Sequence, residues 1–451
     1  MKTSEFYKLI PALLLCALTL LCAVPACAAS GSRQFITPQP IEDHHALDNF
    51  YEALARTAAN RETSEGETPA ITRIIHYGDS HVAADILTGA LRHDFQRDFG
   101  DAGPGFMLAG RPWSWYSRSG IESEASAGWQ INGLSLSSLA SDGRFGLAGL
   151  SLSTNRTGES IRLTSDCTRF ELYLLKQPHG GVIDVLLDGV MQQHHFSLAS
   201  DDFEPTYLEV SVPADSAIQF EALPRPQSAI NSLHSIELRT ISPGLVRVPG
   251  VVAEQHGAGV VYDAFGINGA RATRLLDWDE NIFADNLAHR DPDLIVVAYG
   301  SNEVGDADFD PAIYRRKFFA VLERLHKAAP RASLLVIAPP DRAVRNDGRW
   351  RTISTMPALI TAQRLAAQAA GAAFWNLSQA MGGAGSIARW AVRSPPLAQP
   401  DHVHLTRAGY LLVADALYTE LMHGYQQFTR QSSGSAGVPP APINQRLQLN
   451  S

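Results

Sequence analysis

Cysteine is almost missing from this chain. Four occur in 451 residues, and three of them, Cys16, Cys22 and Cys27, fall before residue 28. Cys167 stands alone beyond them, so no disulfide can staple the body of the protein, and a lone cysteine there reads as a small buried hydrophobe. An excess of positive charge is missing too. Against 46 Asp and Glu stand 37 Lys and Arg, a formal net charge of −9, which excludes a nucleic-acid binder with its basic face. Apolar runs approaching membrane-spanning length are missing everywhere except the extreme N-terminus, so a polytopic membrane protein is excluded. No internal repeat is present. What remains is 45% hydrophobic and 18% charged, an ordinary globular balance. Its length fits two domains, or one domain with a large insertion.

The N-terminus has the order of an export signal. Lys2 and Lys8 precede the apolar run Leu9 to Val24, which carries Pro11, and Ala26-Cys27-Ala28 follows as a small-residue cleavage site. Residues 1–28 are therefore expected to be removed on export to the periplasm or outside the cell, leaving no membrane span. A second reading remains open: Val24-Pro25-Ala26-Cys27 loosely fits the box before a lipidated cysteine, with Cys27 as the anchor.

Beyond the signal, Leu47, Phe50, Tyr51 and Leu54 share one face of an expected helix. Ile71 to Tyr77 reads as a buried strand that runs into Gly78-Asp79-Ser80. A helix with Val82, Ile86, Leu87, Leu91 and Phe95 inward should follow, stopping at Gly100. The same rhythm returns late in the chain. Strands are expected at Val260 to Phe265, Leu294 to Tyr299, Leu334 to Ala338 and Ala372 to Leu377. Helices are expected near Gly269, Tyr314 to Ala328, Pro357 to Ala370 and Arg407 to His423. Continuous apolar strands alternating with helices predict a parallel sheet covered on both faces. The stretch from Trp113 to Val252 shows instead short alternating runs: Phe170 to Leu174, Val182 to Leu187, Tyr207 to Val212, Ile218 to Leu223 and Ile236 to Ile241. That pattern predicts an inserted β-sandwich. The expected division is a signal at 1–28, an α/β domain in two parts at 29–110 and 253–428, the sandwich at 111–252, and a disordered Ser/Gly/Pro-rich tail at 429–451.

Four local signals fall on the α/β part. Ser80 sits where a strand ends and a helix begins, and that helix start offers free N–H groups to a developing oxyanion. Taken alone, it is equally a capping serine. Gly269, in Gly266-Ile267-Asn268-Gly269-Ala270, can point its N–H into a pocket that a side chain would block. Asn302, after the third strand, brings a neutral donor suited to an oxyanion. Asp401-His402-Val403-His404 precedes the last helix, and its three-residue offset lets Asp401 hold the His404 imidazole while Nε2 faces a serine. A metal pair of His402 and His404 is the alternative there, although no third ligand is evident. Together the four signals fall on one edge of one sheet. They give a nucleophile (Ser80), a base with its orienter (His404, Asp401) and oxyanion donors (the Ser80 and Gly269 N–H groups and Asn302). No metal or other cofactor is called for.

These blocks resemble the SGNH hydrolase superfamily, also called GDSL esterases, over roughly residues 70–110 and 255–425. His81 stands where the name-giving leucine would be, and Glu303 replaces the usual aspartate after the asparagine. More narrowly, GDSHVAADILTGALRHDFQRDFGDAGPGF, GVVYDAFGINGARA, MGGAGSIARW and DHVHLTRAGY look like bacterial peptidoglycan O-acetylesterases. In those enzymes a β-sandwich resembling a carbohydrate-binding module interrupts the hydrolase domain, and the long gap between Ser80 and Gly269 matches that layout. The resemblance implies a three-layer αβα, flavodoxin-like fold with a five-stranded parallel sheet and a jelly-roll-like insertion. It also implies removal of acetyl groups from O6 of muramoyl residues in an O-acetylated glycan, peptidoglycan first among them. The same triad would serve a polysaccharide O-acetyltransferase or an acetylxylan-type esterase, and a non-catalytic glycan-binding protein is the reading from another class. Trp113, Trp115, Tyr116 and Trp129 are aromatic candidates for sugar stacking, or else core residues. His44-His45 and His194-His195 read as surface pairs.

Overall fold

The computed structural model describes residues 35–63, 69–113, 116, 118–133, 142–213 and 233–436. The expected signal segment, the box at Cys27, Trp115 and the expected strand at Ile218 to Leu223 lie outside them, as do residues 437–451. Among the described residues no helix is long and apolar enough to cross a membrane.

Five strands form the central sheet: β1 (Ile71–Gly78), β2 (Gly259–Gly266), β3 (Leu294–Ala298), β4 (Ser333–Ile337) and β5 (Ala373–Trp375). All pair in parallel, in the spatial order β2-β1-β3-β4-β5. Their side chains are apolar on both faces because both faces are covered. Ile74, Val296 and Leu335 point to one side, where α1 (Asp48–Thr63), α2 (Leu87–Phe99) and α6 (Arg407–Ala436) pack. Ile75, Tyr77, Ile295, Val297 and Val336 point to the other, where α3 (Glu280–Arg290), α4 (Pro311–Ala328) and α5 (Met356–Ala369) pack. Asp279 and Asp310 cap α3 and α4, each accepting two backbone N–H bonds, and Pro311 adds its preset φ at the start of α4. The sheet is thus an αβα sandwich whose strand order reverses between β1 and β3. The cleft beyond their carboxyl ends is where such sheets bind ligands.

Between α2 and β2 the chain builds antiparallel sheets. One has four strands, ordered Glu204–Ser211, Arg169–Lys176, Gly250–Glu254 and Gly105–Met107. Another has five, ordered Ile121–Ala125, Ser160–Asp166, Leu233–Thr240, Val182–Leu187 and Val190–Ser197. Gly105–Met107 lies ahead of residue 111 and Gly250–Glu254 runs past 252, so the β-rich insertion takes in chain on both sides of the expected limits. Cys167 is buried within it, and burial pushes its thiol up to about 12. Phe106 joins the insertion to the central sheet, meeting Phe265 and Tyr173 edge-on at 5.1 and 5.2 Å between ring centroids. Beneath it lies a buried ion network. Arg290 bonds Asp263 at 2.7 Å and Glu254 at 2.6 Å, and Glu254 also receives Arg169 and Arg73.

Three helix expectations need correction. The helix after Ser80 is broken: a single turn, Ser80–Ala83, is separated from α2 by Asp85, whose φ is +50°. Asp85 turns back to bind Thr88 and Arg92, a local bond that competes with helix continuation. No α-helix begins near Gly269; a short 3₁₀ helix, Ala272–Leu276, comes first and α3 starts at Glu280. The last helix does not stop at His423 but continues to Ala436, into the tail expected to be disordered. Tyr425 and Phe428 carry its buried stripe onward against Tyr51, at 6.3 and 6.1 Å between centroids.

Candidate active site

The residues singled out at the four strand-end loops converge. Ser80 Oγ lies 2.9 Å from His404 Nε2, and His404 Nδ1 lies 2.7 Å from Asp401 Oδ2. The loop holds this pair by its own backbone. Asp401 Oδ1 accepts the N–H groups of Val403 and His404 at 2.9 and 3.0 Å, which fixes the carboxylate and leaves Oδ2 for the imidazole. Partial burial pushes the Asp401 carboxyl up, but the hydrogen bonds from His404 and the two amides outweigh it and hold it below its ordinary value. It therefore stays ionised beside the imidazole. Both side chains are open to water, 40% exposed for His404 and 47% for Asp401.

Ser80, Asn268, Gly269, Asn302, Val403 and His404 line one open cleft of about 620 Å³. Among the described residues the backbone N–H groups of Ser80 and Gly269 donate to no protein acceptor. Gly269 has φ +71°, and a Cβ added there would meet nothing within 4 Å. The reason for glycine is thus its left-handed backbone, not the crowding expected from the sequence. Asn302 gives one amide hydrogen to the Ala270 carbonyl at 2.9 Å, which aims the side chain and leaves its second hydrogen free. Gly266 is the crowded glycine: a Cβ there would sit 2.2 Å from Ala83 N, in the turn that carries Ser80.

Four neighbours matter that the sequence marked only as departures or not at all. His81 is buried beside the His404 imidazole, its ring 5.4 Å from that of His404 and its Nδ1 2.9 Å from the Tyr410 hydroxyl. Burial first, then the nearby His404, lowers it to about 3, so it stays neutral. Glu303 is 3% exposed, and its Oε1 accepts Ala272 N at 2.9 Å, tying down the loop that carries Gly269. Burial pushes its carboxyl up to about 7; the Ala272 N–H opposes this and nearby Asp79 adds to it. Asp79 is itself pushed up to about 6 by burial, against the bond from His81 N. Arg342 lines the cleft and donates to the Ser301 carbonyl.

Other expected site residues lie elsewhere. Tyr116 is buried, its hydroxyl accepting Leu108 N at 3.2 Å, and Trp113 packs edge-on against it at 5.3 Å. Neither lines the cleft with Ser80, so both belong to the core reading of these aromatics. Trp129 gives its Nε1–H to the Ser160 carbonyl and borders a separate hollow in the insertion. His402 stands apart from His404: its Nδ1 lies 2.7 Å from the Pro400 carbonyl and its ring stacks on Trp350. His194 and His195 are more than a surface pair. One ligand atom from each lies within 4.8 Å of the others and of an Asp184 oxygen, a grouping that could hold a cation. Adjacent strand residues normally face opposite ways. Here a register shift opposite Ile183 and Val185, with His195 at φ +54°, turns both rings to one side, which pattern alone could not reveal.

Residues 242–412 match the GDSL-like Lipase/Acylhydrolase family. No curated protein matches the chain. Among solved structures, a peptidoglycan O-acetylesterase is similar at 22% identity, over 83% of this chain and 96% of that one, with a TM-score of 0.65. An acetylxylan esterase of Geobacillus stearothermophilus is similar at 20% identity over 36% of this chain and 73% of that one, with a TM-score of 0.28. At these identities the likeness is one of fold, and at the lower score it is slight. The family match begins after most of the insertion and leaves out Ser80, which the parallel pairing of β1 with β2 and β3 returns to the cleft. Residues 242–412 therefore match a GDSL-like lipase/acylhydrolase domain, within an αβα fold like that of the peptidoglycan O-acetylesterase, and that family match supports a carboxylic ester hydrolase.

Proposed function

We propose that this chain is an exported serine esterase that removes O-acetyl groups from cell-wall glycan, O-acetylated peptidoglycan above all. One observation carries the reading: an unbroken hydrogen-bond chain from Ser80 through His404 to Asp401, lying at an open cleft beside unpaired backbone donors. Ser80 Oγ attacks the acetyl carbonyl carbon while His404 Nε2 takes its proton. Asp401 stabilises the imidazolium that forms. The N–H groups of Ser80 and Gly269 and the free amide hydrogen of Asn302 bind the tetrahedral oxyanion. As the intermediate collapses, the bond to the sugar oxygen breaks, and that oxygen leaves with the proton from His404. A water then attacks the acetyl-serine, giving its proton to His404, and acetate leaves as Ser80 is re-protonated. The signal pattern at residues 1–28 supports export, and the β-rich insertion supports a glycan polymer as substrate.

Esterase is favoured over transferase by the exposure of His404 and Asp401. An acetyl-enzyme in so open a cleft has water at hand, whereas acetyl transfer needs water kept out. The test is acetate release from O-acetylated peptidoglycan, with acetylated xylan as comparison and Ser80→Ala as control. Serine-dependent release preferring peptidoglycan is expected. Release from xylan alone would move the protein to plant-polysaccharide degradation. Absence of release from both would point to a transferase or a binding role.

A further inference from the structure

Beside the cleft a small hairpin projects from the body. Its strands, Ala343–Asn346 and Arg349–Thr352, pair around Asp347-Gly348, whose φ values of +48° and +75° are those of the tight turn this dipeptide favours. Three arginines lie on it against one aspartate, in a chain whose net charge is −9. Arg345, Arg349 and Arg351 are all exposed, and among the described residues none of their guanidinium groups is in an ion pair or hydrogen bond. Most arginines elsewhere are matched, as Arg162 is by Glu237 and Arg331 by Asp291. Opposite Arg345, on the same face, stands Trp350, 40% exposed. Its ring stacks on His402, two residues along the chain from the proposed base, at 3.8 Å and 16°, and the residue remains accessible to a ligand.

The hairpin is held rigidly against the loop of Asp401 and His404. Ala343 N donates to the His402 carbonyl at 3.0 Å, and Thr352 Oγ1 bonds Asp341 Oδ1 at 2.7 Å. Arg342, at its base, already lines the cleft. A fixed aromatic face is what a pyranose ring stacks on, and a guanidinium fork matches a carboxylate. We infer that this hairpin is a subsite for carboxylate-bearing glycan, with Trp350 stacking a sugar ring and Arg345 pairing with a carboxylate close to it. Arg349 and Arg351, on the other face, raise the local concentration of the polyanion. The inference rests on the esterase reading only in taking a glycan as substrate. It goes further in making acidity, not acetylation alone, the feature selected.

The test measures binding with the full chain carrying Ser80→Ala, so that nothing is turned over. The probes are soluble peptidoglycan strands with free stem carboxylates, the same strands with those carboxylates amidated, and polygalacturonate. In that background Arg345→Ala/Arg349→Ala/Arg351→Ala is expected to weaken binding to the free-carboxylate strands at least tenfold, with Arg345→Ala the largest single loss. The corresponding triple lysine variant, which keeps the charge but not the fork, should restore only part of it. Trp350→Ala should weaken binding to free and amidated strands alike. Thermal melting of each variant separates lost binding from lost folding. Equal affinity for free and amidated strands, or unchanged affinity in the triple alanine variant, overturns the subsite. Arginine-dependent binding to polygalacturonate without binding to peptidoglycan keeps the subsite and sinks the cell-wall reading. Serine-dependent acetate release from peptidoglycan with binding indifferent to the arginines does the reverse.

Discussion

Asn302 makes two commitments with one amide group. One hydrogen is spent on the Ala270 carbonyl, so the other is aimed without a search through rotamers. Asn302→Ala is expected to lower kcat by about 10²–10³ while leaving KM close to unchanged, because the lost bond strengthens in the transition state. Steady-state kinetics on a small acetyl ester would measure it; a loss confined to KM would place the residue in ground-state binding. Glu303 gives a prediction in pH. Burial raises its folded value from 4.5 to about 7, so folding takes up a proton between those values. Stability from this group is full below about pH 4.5 and is lost as pH rises through 7. Glu303→Gln keeps an acceptor for Ala272 N and cannot ionise. It should melt like the parent near pH 4 and be more stable at pH 8, by on the order of 3 kcal/mol at most. A variant no more stable than the parent at pH 8 would mean that Glu303 ionises there without strain.

The elements around the serine are placed by close backbone approach. Gly266 ends β2 against the turn Ser80–Ala83, with no space for even a methyl group. Gly266→Ala should therefore cost about 1–3 kcal/mol in stability. It should also lower kcat, because the turn that yields is the one bearing Ser80. Thermal melting with single-turnover acylation would show both effects; normal acylation in a destabilised variant would mean that the strain is relieved elsewhere. The same short turn shows why a long helix after the serine was expected and not found. Val82, Ile86, Leu87, Leu91 and Phe95 do recur at helical spacing, yet Asp85 interrupts them by bonding Thr88 and Arg92. Side-chain competition with the backbone is local chemistry that an apolar pattern does not register.

On the scale of the molecule, the insertion and the central sheet share one buried charge network. Arg290 is its hub, bound to Asp263 and Glu254, all three nearly free of solvent. Opposing carboxylates more than offset the desolvation of the Arg290 guanidinium, which holds its proton more tightly than usual; the same network pulls Glu254 well below its ordinary value against burial. Arg290→Met would leave two carboxylates buried without their main partner. A loss of about 3–5 kcal/mol is expected, read as a fall in melting temperature of the full chain. A small loss would mean that Arg73, Arg118 and Arg169 suffice to neutralise them.

The sequence by itself determined the parallel sheet, its interruption, and the choice of Ser80, Asp401 and His404 as candidates, which the fold brings into hydrogen-bond contact. Each rests on local information: both-face apolar strands such as Leu294 to Ala298, a switch to period two in the middle of the chain, and a three-residue offset that one turn of backbone can close. Tertiary structure alone decided the rest, because it depends on what meets across hundreds of residues. Ser80 and His404 touch only because β1 lies between β2 and β3 and the last loop folds over their ends. Burial, which the chain cannot state about itself, made His81 a neutral neighbour, turned Glu303 from a conspicuous substitution into a loop anchor, and sent Tyr116 to the core. A backbone bulge joined His194 to His195, and a hairpin against the loop of Asp401 and His404 set Trp350 beside the cleft. Local pattern fixes which residues can share a face; only packing fixes which faces meet.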